Sequence, residues 1–169
     1  MDGIMMNKIL AMALLATASS LPMAAQASST SDSFQVRLSL VGSCSIESVE
    51  NLDFGTLSVD DVSSGTQTET GDIGIACSKG TSYDIGLSGT NGTRTLRSHN
   101  GSTVSYELYQ DSGNSIDWDN ISVLSGTGTG TMVTHTVSGH LPGTFTLNPN
   151  DQVSGGAVLK DVVTVTLTF

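Results

Sequence analysis

The stretch that decides the fold is KDVVTVTLTF, residues 160–169. Its side chains alternate, with Val163, Val165, Leu167 and Phe169 on one face and mainly threonine on the other. Strict alternation of this kind predicts a β-strand with one buried face. Because the sequence ends inside this strand, we expect an apolar strand whose outer edge has no partner from the following chain.

A second alternating stretch is FQVRLSL, residues 34–40. Phe34, Val36, Leu38 and Leu40 share one face, which predicts another half-buried strand. Two such strands at opposite ends of a chain can pair with each other in a complete domain, or they can leave an unpaired edge beside an unfilled groove. The pattern alone favours the complete domain.

The composition indicates an all-β protein of one domain. The chain has 169 residues, of which 37% are apolar and 19 are glycine, so it can form a core while turning often. The dipeptides Asn91-Gly92 and Asn100-Gly101 predict hairpin turns on either side of a short strand around Leu96. Many short strands separated by turns are typical of a sandwich or a barrel.

The first 27 residues resemble a bacterial secretory signal. Lys8 precedes an apolar run at residues 9–18, and residues 25–27 (AQA) match a cleavage site. The apolar run is too short to span a membrane as a helix. We therefore expect a signal peptide at residues 1–27 and a mature domain at residues 28–169.

Charge and cysteine content narrow the class of protein further. The net charge is −10, which disfavours binding to nucleic acid or to anionic lipid. Cys44 and Cys77 both lie in the mature part, and an exported chain passes through an oxidising compartment. The sequence therefore predicts one disulfide, since two cysteines without a nearby histidine supply only half a zinc site.

The sequence offers little for catalysis or metal binding. The histidines are His99, His135 and His140, and their spacing is not that of a metal site. Residues 111–114 (DSGN) and 117–120 (DWDN) carry oxygen ligands but do not match an EF-hand. No nucleophile elbow or phosphate-binding loop is present in its required context. We expect no enzymatic activity, no cofactor and no metal.

Two aromatic residues allow a different function. Tyr109 and Trp118 could stack on sugars, although a lone tryptophan in a β-sandwich is usually part of the core. A secreted, self-complete β-sandwich that binds carbohydrate or coats a surface is therefore an alternative to any structural role.

Six short stretches of the mature chain, taken in their order along the sequence, resemble those of a known protein family. They are residues 44–46 (CSI), 52–57 (LDFGTL), 73–77 (IGIAC), 83–89 (YDIGLSG), 104–111 (VSYELYQD) and 160–169 (KDVVTVTLTF). With the paired cysteines, they make the chain resemble the spore coat U family, which includes the pilins of archaic chaperone–usher pili. One departure is residues 157–159 (AVL), where the family often has Gly-x-Tyr.

The resemblance implies an incomplete immunoglobulin-like β-sandwich that lacks its last strand. Donor-strand complementation would complete it, with residues 28–42 as the donor segment. Its apolar residues are Phe34, Val36, Leu38 and Leu40. The acceptor groove would be formed with Val163, Val165, Leu167 and Phe169 of the C-terminal strand.

The resemblance also implies the partners and the location. These are a periplasmic chaperone, an outer-membrane usher and other pilin subunits, with export through the periplasm to a cell-surface fimbrium. The implied function is that of a structural pilus subunit in surface adhesion and biofilm formation.

Overall fold

The structure is a computed structural model that describes residues 28–151 and 156–169. The expected signal peptide, residues 1–27, lies outside the described residues. The chain divides into two units between Leu38 and Ser39. The described part of the first unit, residues 28–38, forms no strand.

The second unit contains the ten strands of the described residues. They are β1 (Cys44–Val49), β2 (Gln67–Cys77), β3 (Ser82–Ser88), β4 (Thr95–Arg97), β5 (Thr103–Ser105), β6 (Glu107–Tyr109), β7 (Leu124–Thr127), β8 (Met132–Leu141), β9 (Phe145–Thr146) and β10 (Thr164–Thr168). The one α-helix of the described residues is α1 (Val59–Ser63), and 3-10 turns lie at Thr90–Gly92 and Pro149–Asp151. No helix in residues 28–151 and 156–169 has the length and apolar character needed to cross a membrane.

The strands form three antiparallel sheets. One has the order β1-β2-β8-β6, the second β10-β3-β7, and a small third sheet β4-β5-β9. Alternate side chains of the first two sheets meet in one core, which includes Ile73 and Ile75 on β2 and Ile85 and Leu87 on β3. The domain is therefore a β-sandwich, as the short alternating strands predict.

Several sequence expectations hold at the level of single residues. Val104, Tyr106 and Leu108 are all buried, and Trp118 is fully buried in the core. β10 has the predicted alternation, with Val165 and Leu167 half-buried and the intervening threonines exposed. Trp118 is thus a core residue and not a sugar-binding surface.

The expectation for residues 34–40 is corrected. The alternation predicts a half-buried strand, yet the segment forms no strand, and its apolar side chains are more than four-fifths exposed. A strand is stabilised by hydrogen bonds to a neighbouring strand, and no strand in the described part of the chain pairs with this segment. The pattern therefore describes a strand that this chain does not form alone.

Candidate functional site

The sandwich has two seams, where edge strands of the two large sheets face each other. At the first seam lie β6 and β7, and the loop between them fills it with Trp118. The indole Nε1–H of Trp118 donates to the carbonyl of Ile85 over 2.8 Å, and its backbone N–H donates to Leu108 over 2.9 Å. Arg94 donates to the carbonyls of Leu108 and Trp118. This seam is closed.

The second seam lies between β1 and β10, each of which is the outer strand of its sheet. A groove with a volume of about 560 Å³ lies in this seam, beside the end of β1 and the start of β10. Its apolar lining consists of Val49, Leu52, Phe54, Ile73, Leu87, Leu96, Leu108, Val137, Leu159, Val162, Val163 and Val165. In the described residues, no strand lies between the two sheet edges that border this groove.

The burial of opposite residues shows what the open seam leaves uncovered. On β1, Ile46 and Val49 are 40% and 55% exposed, whereas their partners on β2, Ile75 and Ile73, are buried. Residues directly opposite in an antiparallel pair share a face of the sheet, so all four belong to the core side. The edge residues are exposed because no strand covers them on the outer side.

β10 repeats this arrangement on the other side of the groove. Val165 and Leu167 are half-buried, while their partners on β3, Leu87 and Ile85, are almost completely buried. Apolar side chains therefore line both walls, and each wall ends in a row of unpaired backbone groups. Such an edge can accept an additional strand.

The structure brings together only some of the residues predicted for this groove. Val163 and Val165 line it. Leu167 packs against the core farther along the strand, and Phe169 is 62% exposed and borders a separate surface pocket with Tyr83.

Sequence reasoning missed much of the opposite wall. Leu52 and Phe54 line the groove, although neither lies in a regular strand. Their spacing of two residues is the signal that could have identified them as one apolar face. Leu159 also lines the groove, and it lies in the segment that departs from the family pattern.

A polar pair of a buried tyrosine and a half-buried aspartate marks the rim of the groove. The hydroxyl of Tyr106 donates to Oδ2 of Asp161 over 2.7 Å, and Oδ1 accepts the backbone N–H of Val162 over 2.8 Å and that of Thr90 over 3.3 Å. Burial raises the pKa of Asp161, but hydrogen bonds from Thr90, Tyr106 and Val162 outweigh it and lower the pKa below its usual value. Asp161 is therefore a carboxylate that anchors the start of the C-terminal segment.

The predicted disulfide is present. Cys44 and Cys77 are bonded and lie directly opposite each other on β1 and β2. Because β1 is the outer strand of its sheet, the bond ties one wall of the groove to the interior of the sandwich.

The predicted donor residues lie outside any strand. Phe34, Val36, Leu38 and Leu40 are 83–88% exposed. Within this segment the Arg37 guanidinium donates to the side chain of Gln35. Among residues 28–151 and 156–169, no strand pairs with this alternating segment, and none lies between β1 and β10.

The remaining polar clusters have local structural roles. His135 meets the hydroxyl of Tyr83 at 3.0 Å between the two sheets, and burial lowers the pKa of His135. His140 lies 3.4 Å from Glu107 on the outer face of the four-stranded sheet. Among residues 28–151 and 156–169, no group of three acidic, histidine or cysteine side chains is arranged to hold a metal ion.

Comparison with known proteins adds a family and a fold. The family model of the Spore Coat Protein U domain matches residues 30–166. No curated protein matches the chain. A similar solved structure is the CsuC–CsuE chaperone–tip adhesion subunit pre-assembly complex from the archaic chaperone–usher Csu pili of Acinetobacter baumannii.

The match to that structure concerns the fold. The TM-score is 0.51 at 19% sequence identity, and it covers 76% of this chain. The chain spans only 40% of the length of the matched chain. The common feature is therefore the β-sandwich, at a level of identity where individual residue roles do not transfer.

Proposed function

This chain belongs to the spore coat protein U family, and on that basis we propose that it is a structural subunit of an archaic chaperone–usher pilus. The observation that carries the proposal is the open apolar groove between β1 and β10. The exposed alternating segment at residues 34–40 complements it. In the assembled fibre, this segment of one subunit fills the groove of the next.

The physical basis is the addition of a strand to exposed sheet edges, for which pilin donor-strand complementation is an established example. Seven residues at about 3.3 Å each span about 23 Å, the length of an ordinary strand. Burial of four apolar side chains contributes on the order of 6–10 kcal/mol before the cost of ordering the segment. A gain of this size can drive assembly without ATP.

The proposal includes the route and the partners. The subunit is exported with residues 1–27 as its signal peptide, and residues 28–169 form the mature domain. A periplasmic chaperone covers the groove before an outer-membrane usher adds the subunit to the fibre. The likeness to a chaperone–subunit complex of Csu pili supports this route. The fibre acts at the cell surface in adhesion and biofilm formation.

The test uses substitutions on the two faces of the donor segment. Val36→Asp/Leu38→Asp places carboxylates where apolar side chains enter the groove, and an unpaired buried carboxylate costs several kcal/mol. We expect normal binding to the chaperone and no heat-resistant polymer ladder on gels. The matched control is Gln35→Asp/Ser39→Asp, which adds the same charge to the opposite face and should polymerise.

The acceptor side provides the reciprocal variant. Val165→Asp places a carboxylate in the wall of the groove, so we expect both the chaperone complex and the polymer to be lost. Normal polymerisation of Val36→Asp/Leu38→Asp would show that residues 34–40 are not the donor. A monodisperse, cooperatively unfolding monomer made without chaperone would instead support a complete sandwich.

A further inference from the structure

The chain enters β1 through a short segment that is held firmly against a neighbouring turn. The backbone N–H of Ser78 donates to the carbonyl of Ser43 over 2.9 Å. In return, the backbone N–H of Ser43 donates to Oγ of Ser78 over 3.3 Å, and the two hydroxyls lie 3.1 Å apart. These contacts extend the pairing of β1 with β2 by one residue beyond the disulfide.

Gly42 is held just as closely. A Cβ atom at this position would lie 2.4 Å from Oγ1 and 2.9 Å from Cγ2 of Thr81. The absence of a side chain therefore lets the backbone pass directly over Thr81. We refer to Gly42, Ser43, Ser78 and Thr81 as the exit clamp.

The exit clamp lies at one defined end of the seam between β1 and β10, and the groove lies toward the other end. β3 begins at Ser82, immediately after the clamp, and Asp84 of β3 pairs with Thr168 near the end of β10. β1 therefore starts at the end of the sandwich where β10 finishes, and the two strands run in opposite directions. The chain therefore enters β1 through the clamp at the end of the seam that is farther from the groove.

A donor segment could enter the groove of its own subunit only by reversing its direction and pairing with the free edge of β1. Hairpin loops take about two to five residues. Three residues, 41–43, separate Leu40 from Cys44, and the exit clamp fixes two of them. With the clamp closed, a reversal must include Leu40 or earlier residues, and the apolar row can no longer lie fully along the groove.

We propose that the exit clamp prevents the donor segment from filling the groove of its own subunit and thereby commits it to a second copy of the chain. This inference rests on the proposed function. The number of residues before β1 makes the clamp necessary. If it opened, residues 41–43 would be long enough to form a three-residue hairpin loop.

The first experiment weakens the clamp while retaining Gly42, the disulfide and the backbone hydrogen bond from Ser78 to Ser43. The variant Ser43→Ala/Ser78→Ala/Thr81→Gly removes the side-chain hydrogen bonds and the packing on Gly42. After release from the chaperone in dilute solution, we expect the ratio of soluble monomer to polymer to rise roughly tenfold, the size expected when about two exposed hydrogen bonds are lost. Hydrogen exchange should show protected amides at residues 34–40 in that monomer.

The control repeats the three substitutions together with Val36→Asp/Leu38→Asp, which should abolish the protected monomer. A clamp-opened protein that polymerises as the wild type does, without additional protected monomer, would overturn the clamp proposal and leave the proposed function intact. Normal polymerisation of Val36→Asp/Leu38→Asp alone would overturn the proposed function.

A second variant tests the same inference if the clamp-opened protein fails to fold. Three residues, Ser-Gly-Gly, are inserted between Val41 and Gly42, which leaves every clamp contact in place and adds enough chain for a reversal. We expect the same protected monomer. The matched control inserts these residues between Ser33 and Phe34, where they add length without permitting a reversal, and should behave as the wild type. Equal behaviour of the two insertions would contradict the proposal.

Discussion

Tyr106 and Asp161 are joined by a hydrogen bond of 2.7 Å between the phenol and a carboxylate at the rim of the groove. Burial is the main cause that raises the pKa of Tyr106, and the Asp161 carboxylate raises it further, so the phenol keeps its proton and remains a donor. The bond connects the buried residue between β5 and β6 to the segment that leads into β10. It therefore fixes one wall of the groove to the core.

Tyr106→Phe should weaken the assembled form. Loss of one hydrogen bond to a charged group costs about 1.5–3 kcal/mol when the carboxylate is left without a replacement, and less where water reaches it. We expect a lower dissociation temperature of the polymer in gel assays. Tyr109→Phe is the control, because its hydroxyl also donates to a carboxylate, that of Glu107, but on the outer face of the four-stranded sheet. If both substitutions lowered the dissociation temperature of the polymer equally, the effect of Tyr106→Phe would not depend on the groove.

Asp151 gives the domain an acid-sensitive contact. Its carboxylate accepts hydrogen bonds from Ser102 and Ser98 at 2.5 Å each and from Asn100 at 2.7 Å. These bonds, led by those from Ser102 and Ser98, lower its pKa from 3.8 to about 2. The folded form binds this proton less readily than the unfolded chain, so the contribution to stability is complete above pH 4 and is lost as the pH falls to about 2.

Asp151→Asn should therefore reduce the change in stability between pH 4 and pH 2. The measurement is the urea midpoint of the chaperone-bound subunit across this range. Glu69→Gln, at an exposed position on β2, is the matched loss of one carboxylate and should keep the pH dependence of the wild type. An unchanged slope for Asp151→Asn would contradict the assignment of this contact.

The alternating pattern predicts the buried face of a strand correctly where a neighbouring strand of the same chain covers that face. The alternation of Val165 and Leu167 predicts one buried face of β10, and this holds because β3 covers that face. The same kind of alternation at residues 34–40 predicts a strand that the chain alone does not form. Periodicity reports which face of a segment is apolar, but it contains no information on which strand, or which chain, lies beside it.

Other features depend on contacts between distant residues. The position of the open seam follows from the strand order β1-β2-β8-β6, which no local pattern determines. Helix α1 has a capping box between Ser58 and Asp61, but its five residues are too few to show a helical period. The fold class and the disulfide could be predicted from the sequence, whereas Leu52 and Phe54 became groove residues only when the seam was located.

The disulfide should stabilise the wall formed by β1. Its loop of 33 residues restricts the unfolded chain by roughly 3–4 kcal/mol in the chain-entropy description. Thiol titration of the unfolded, unreduced mature protein should find no reactive thiol, and two reactive thiols would contradict the bond. Cys44→Ser/Cys77→Ser should lower the yield of chaperone complex, because the edge strand β1 then loses its covalent link to β2.

The two seams should respond differently to the loss of their apolar contents. Trp118 is fully buried and fills its seam from within the chain, so Trp118→Ala leaves a large cavity and should cost about 3–5 kcal/mol. Because this cavity lies within the core of the subunit itself, we expect the yield of chaperone complex to fall sharply. Trp118→Phe keeps most of the ring contacts but loses the hydrogen bond to Ile85, so its yield should be intermediate.

The control for Trp118 lies in the same loop. Ile121 is 92% exposed, and Ile121→Ala removes an apolar side chain without opening a cavity, so its complex should form at the wild-type level. Val36→Asp/Leu38→Asp should also form the complex, because both side chains are more than four-fifths exposed and lie outside any strand. A wild-type yield for Trp118→Ala would contradict this distinction. It would mean that the chaperone complex forms without the contacts that Trp118 makes in its seam.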